Sequence, residues 1–147
     1  MIQFTRKIEP SAEATGTITL PWSQRTKSRQ RVQLDNGEEA GLFLERGVIL
    51  RDGDCLASED GRIIKIRAAT ETVSSAYCED PLQLARICYH LGNRHVDLEI
   101  SAKQVRYPHD HVLDSMLLGM GLTPKIEQAP FEPETGAYGE GHGHSHG

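Results

Sequence analysis

A change of hydrophobic period partway along the chain restricts the fold more than any other feature. No stretch with a 3.6-residue apolar repeat occurs before residue 79, whereas two follow it. The first part must therefore bury its apolar residues through strands, and the second can use helices. Thr17–Leu20 alternates, and Arg31–Leu34 runs into Asp35-Asn36-Gly37. Asn-Gly between apolar runs is the strongest short-range hairpin signal, and Ala40–Leu44 supplies the returning strand. Val48-Ile49-Leu50 meets the turn Asp52-Gly53-Asp54, and Asp60-Gly61 opens Arg62–Ile66. Residues 1–70 are expected to form a small all-β domain, with Trp22 packed in a turn beside Pro21.

The texture then changes. Thr72–Tyr77 is β-branched and aromatic enough for a strand. Asp80 is placed as an N-cap, Pro81 as the first helical residue and Gln83 as the far side of a capping box. Leu84, Ile87, Cys88 and Leu91 form the apolar stripe of a helix that Gly92 stops. Val96–Ile100 alternates as a half-buried strand, and Gln104–Tyr107 makes another before Pro108. A second helix carries Val112, Leu113, Met116, Leu117 and Met120, with Asp110 as N-cap and Gly121 as stop, and Thr123–Ala129 is the last strand. The order β-α-β-β-α-β over residues 71–130 is that of a ferredoxin-like unit, so the fold class is α+β. Residues 131–147 turn to Glu, Pro, Gly and His, a composition that buries too little apolar surface to offset its ordering entropy, and a disordered tail is expected.

Charge separates the two halves. Residues 1–70 hold 11 basic and 10 acidic side chains, residues 71–147 hold 5 and 11, and all seven histidines lie in the acidic half. A net charge of −5 argues against a nucleic-acid partner. An acidic surface with imidazoles attracts divalent cations and can ligate the softer ones. No apolar run approaches the roughly 18–20 residues that span a bilayer, and no signal peptide opens the sequence; no membrane partner and a cytoplasmic location are expected. Cys55, Cys78 and Cys88 form no C-x-x-C pair and are read as reduced, mostly buried thiols.

The candidate ligands fall in three places. His142, His144 and His146 alternate with Gly and Ser, spacers that let neighbouring rings wrap one cation. His109 and His111 flank Asp110 where strand gives way to helix; in extended backbone both rings can face one ion, or else they only decorate the helix start. His95 closes Leu91-Gly92-Asn93-Arg94-His95. Alone it reads as a structural or solvated loop residue. On a two-fold dimer surface of a ferredoxin-like unit it is duplicated by symmetry into one site. His90 is read as capping or packing at the end of the first helix. Arg25, Lys27, Arg29 and Arg31 alternate as a basic row along one strand face, either solvated or able to receive an acidic segment of a partner. The chain lacks G-x-S-x-G, Walker, G-x-G-x-x-G, H-E-x-x-H and H-x-H-x-D-H motifs, so it is not expected to be an enzyme.

Four stretches, LGNRH (91–95), RYPHDHVL (106–113), APFEPETGAY (129–138) and GLFLERGVILRDG (41–53), resemble the UreE urease accessory protein family of nickel metallochaperones. The resemblance covers essentially the whole chain. It implies a β-rich N-terminal domain reminiscent of a chaperone peptide-binding module, joined to a metal-binding domain that forms a homodimer. It further implies that His95 is an interfacial ligand from both protomers, that His109 and His111 are additional metal sites, and that the terminal histidines assist capture. The cargo it implies is Ni(II), delivered to apo-urease held by other accessory proteins including a GTPase. Zn(II) and Cu(II) compete for such ligands. The tail departs from members with long histidine tracts, which argues against a storage role. General divalent-metal binding, or a protein-interaction module without delivery to urease, is the alternative.

Overall fold

The computed structural model describes residues 1–136 of the 147-residue chain. It divides into two compact units, Met1–Ala69 and Thr70–Glu134. The first contains β1 (Ile2–Ile8), β2 (Gly16–Leu20), the single-turn helix α1 (Trp22–Arg25), β3 (Arg29–Gln33), β4 (Glu39–Phe43), β5 (Cys55–Ser58) and β6 (Ile63–Ala68). Its six strands form one sheet in the order β2-β6-β5-β1-β4-β3, with β1 parallel to β4 and β2 parallel to β6. Phe4, Ile18, Leu42, Leu50, Leu56, Ile64 and Ile66 are fully buried and form the centre of its core.

The Asn-Gly hairpin closes between β3 and β4. Gly37 takes φ +94°, and the Asn36 side chain accepts the Glu38 N–H at 2.8 Å. A left-handed φ suits glycine because no Cβ meets the following carbonyl. Strand β1 carries no alternating apolar signal, because only Phe4 among its residues is fully buried; it is nevertheless central, between β4 and β5. Val48–Leu50, expected as a strand, is not one. Leu50 is buried, but its N–H goes to the Arg25 carbonyl at 3.0 Å, so its backbone is satisfied by α1 rather than by a ladder.

The basic row also changes. Arg25 ends α1 and is fully buried, its Nε donating to the Leu20 carbonyl at 3.0 Å and its Nη1 to that of Leu50 at 3.4 Å. Its guanidinium lies 5.3 Å from the Trp22 ring centroid and that of Arg51 lies 4.9 Å away, so Trp22 serves two cations rather than filling a turn. Arg25 thus fixes a chain reversal, Lys27 lies outside the strand, and only Arg29 and Arg31 share the exposed face of β3.

The second unit runs β7 (Thr70–Tyr77), α2 (Pro81–Gly92), β8 (Glu99–Ser101), β9 (Gln104–Pro108), α3 (His111–Gly119) and β10 (Lys125–Pro130), with strand order β10-β7-β9-β8 and every neighbouring pair antiparallel. Ala76 pairs with Val105, and both join Tyr107, Leu84, Ile87, Leu91, Leu113 and Leu117 in one buried cluster, which puts both helices on one face of the sheet. Asp80 caps α2 as its position predicts, accepting from Leu82 N–H at 3.0 Å, with Pro81 following it. Gln83 does not complete a capping box; its Nε2 donates to the Met120 carbonyl at 2.9 Å and ties α2 to the end of α3. Strand β8 is shorter than the alternation of Val96–Ile100 suggests, because the Leu98 carbonyl is taken by the Glu134 N–H at 2.7 Å.

That contact corrects the expected disorder for residues 131–134, while residues 137–147 of the expected tail lie outside the described residues. Phe131 is 1% exposed, Pro133 is buried, and the Glu132 N–H donates to the Glu99 carboxylate at 2.8 Å. A buried aromatic ring and hydrogen bonds from the Glu132 and Glu134 N–H groups help to order a segment whose average composition is polar. No helix among the described residues is long and apolar enough to cross a membrane.

Candidate metal centre

The described imidazoles all sit in the second unit, His90 within α2 and His95, His109 and His111 at its chain junctions. Helix α2 ends in a tight turn in which Asn93 N–H reaches the Tyr89 carbonyl, Arg94 N–H that of Leu91, and His95 N–H that of Gly92 at 3.0 Å. The result is a non-glycine residue at φ +58°: His95 is the only one with positive φ among the described residues. A side chain held there costs roughly 1–2 kcal/mol, and such strain concentrates where geometry matters to function. His95 is exposed, and no hydrogen bond or ion pair joins its ring to the described residues. It is therefore a free imidazole on a fixed backbone, not a packed loop residue.

The second junction is built differently. Asp110 is extended at φ −155°, and its carboxylate accepts from the Val112 and Leu113 N–H groups at 2.8 and 3.2 Å, capping α3. His111 is the first helical residue and is exposed. His109 is anchored. Its N–H donates to the Thr72 carbonyl at 3.1 Å, and its Nδ1 lies 3.1 Å from Ser74 Oγ and 3.3 Å from Asp114 Oδ2. The other oxygen of Asp114 accepts the Tyr107 hydroxyl at 2.6 Å. Burial and then that carboxylate push the Tyr107 hydroxyl far above the usual phenol range, opposed only in part by Ser74, so it remains a donor.

The sheet register explains the assembly. Ser74 of β7 pairs with Tyr107 of β9, and α3 brings Asp114 over both from the same face. Asp114, Ser74 and Tyr107 went unnoticed in the sequence because their meeting depends on β7–β9 pairing, 33 residues apart at the Ser74–Tyr107 rung. The spacing of Asp114 from Asp110, one turn along a capped helix, is the only local signal.

His90 neither caps nor packs inward; it is exposed and meets the Tyr89 ring edge-on, with centroids 5.2 Å apart. His142, His144 and His146 lie outside the described residues. All three cysteines are free, with Cys55 and Cys78 buried and Cys88 half-buried, its thiol pushed up by burial. Among the described residues no group of three or more His, Cys, Asp or Glu converges within a single chain. The donors present are exposed or edge-placed imidazoles, borderline ligands suited to Ni(II), Cu(II) and Zn(II).

Comparison with known proteins bears on both units. Residues 2–69 match the model of the UreE urease accessory protein N-terminal domain, and residues 71–147 match that of the C-terminal domain. A urease accessory protein UreE from Alkalilimnicola ehrlichii is 56% identical over 139 residues, covering 95% of this chain and 85% of that protein. One from Pseudomonas putida strain W619 is 57% identical over 139 residues, covering 94% and 86%. One from Citrobacter koseri is 53% identical over 149 residues, covering 100% and 98%. With both domains matched in order and relatives of this similarity spanning nearly the whole chain, the chain belongs to the UreE urease accessory protein family.

Proposed function

We propose that this protein is a urease maturation chaperone that binds Ni(II) and delivers it to apo-urease, itself without catalytic activity. The observation that carries the reading is His95: an exposed ring without a described partner, on a backbone held at positive φ inside the LGNRH stretch. A lone imidazole binds nickel weakly, and two related by a two-fold axis bind it as a pair. The ferredoxin-like second unit would supply that axis by forming a homodimer, with His95 given by both protomers. His109 and His111 would add ligands at the strand-to-helix junction, and His142, His144 and His146 would assist capture.

An open set of imidazoles suits transfer. It leaves coordination positions for an incoming ligand, so the ion can pass by exchange to urease or to an accessory protein, the GTPase among them, without release to water. The site of action would be the cytoplasm, with Zn(II) and Cu(II) as competing cations.

Isothermal titration of the full chain with Ni(II) tests this. Loss of the tightest binding event in His95→Ala, with the dimer intact by sedimentation, is the expected result. Unchanged stoichiometry and affinity would remove His95 from the mechanism.

A further inference from the structure

We infer that Asp114, supported by Tyr107 and Ser74, is a positioning residue that fixes the tautomer of His109 and presents its Nε2 outward as the metal-accepting atom. The inference rests on the nickel-binding reading above and deepens it.

The argument is one of donors and acceptors. An ionised carboxylate can only accept, and Asp114 spends Oδ1 on the Tyr107 hydroxyl at 2.6 Å. Its Oδ2, 3.3 Å from His109 Nδ1, therefore calls for a proton on that nitrogen. Ser74 Oγ, at 3.1 Å, can accept the same proton. A neutral ring protonated at Nδ1 keeps its lone pair on Nε2. The supporting groups are shielded from solvent: Ser74 of β7 and Tyr107 of β9 are fully buried, and the Asp114 side chain of α3 is 15% exposed. The His109 side chain is 32% exposed, so the ring is gripped on its Nδ1 side and open elsewhere. Metal-bound imidazoles recurrently hold their second nitrogen this way, which fixes the ring and raises its basicity. His111 and His95 have no such support among the described residues, which makes His109 the one pre-aimed donor.

Long-range 15N–1H correlation spectra of the metal-free, histidine-labelled full chain at pH 8, above the ordinary imidazole range, read the tautomer directly. The expected spectrum shows His109 in the Nδ1–H form, unlike the exposed His95 and His111. Asp114→Asn should turn an amide N–H toward Nδ1 and flip His109 to the Nε2–H form, as the equivalent change does in serine proteases. Nickel affinity at this junction should then fall about 10–100-fold.

Wild-type His109 in the Nε2–H form overturns the inference without need of any variant, whether or not nickel binds. An Asp114→Asn protein with an unchanged tautomer overturns it too. If the wild-type ring has the expected form but Ni(II) broadens no histidine resonance, the positioning stands and the nickel-binding reading is what fails.

Discussion

The Leu91–His95 loop and the Pro108–Asp114 junction present their imidazoles by opposite means. At His95 the backbone is constrained and the ring is free; at His109 the backbone is ordinary and the ring is held by Ser74 of β7 and Asp114 of α3, the latter braced by Tyr107 of β9. A free ring on a rigid base can adjust to a partner ring whose position is set by another subunit. A gripped ring offers one direction and needs no adjustment. The contrast suits a shared site at one place and a pre-aimed donor at the other.

The largest effect expected from breaking this arrangement is at Leu91, fully buried at the end of α2, where it anchors the turn that carries His95. Leu91→Ala should cost about 2–5 kcal/mol in denaturant unfolding. Next come the rings themselves. His109→Ala removes the ring that Asp114 Oδ2 and Ser74 Oγ face and should cost about 1–2 kcal/mol. His95→Gly should cost nothing, or stabilise by up to about 1 kcal/mol, because glycine relieves the positive φ. If the two substitutions had the same effect, the contrast would be lost. Tyr107→Phe should cost about 1 kcal/mol and loosen the grip on His109 without touching His95.

The smallest effect lies on the other face of the sheet and serves as a control. Ser75, then Lys125 and Arg106, hold the Glu127 carboxyl below the usual carboxylate range against the opposing effect of burial. A depressed carboxyl contributes stability that is present above its unfolded value near pH 4 and is lost as pH falls through its folded value. Glu127→Gln should therefore flatten the acid limb of the stability curve below about pH 4, while leaving nickel titrations unchanged.

Local chemistry made part of this legible. Asp80-Pro81 and Asp110 cap their helices where the sequence places them, and Asn36-Gly37 turns its hairpin, because each acts within a few residues. The strand order of both sheets and the grip on His109 depend on pairing between distant segments, which no short window records. Arg25 misled for a related reason. An alternating row of cations reads as a solvated strand face, yet the carbonyls of Leu20 and Leu50 and the Trp22 ring take Arg25 inside. Phe131 was hidden by its neighbours, since a polar average conceals a single buried ring.

Native mass spectrometry of the full chain loaded with Ni(II) tests the central claim most directly. The account predicts a dimer retaining a tightly held ion that His95→Ala dimers lose while keeping their mass otherwise. Nickel carried by monomers, or held as firmly by dimers lacking His95, would contradict it.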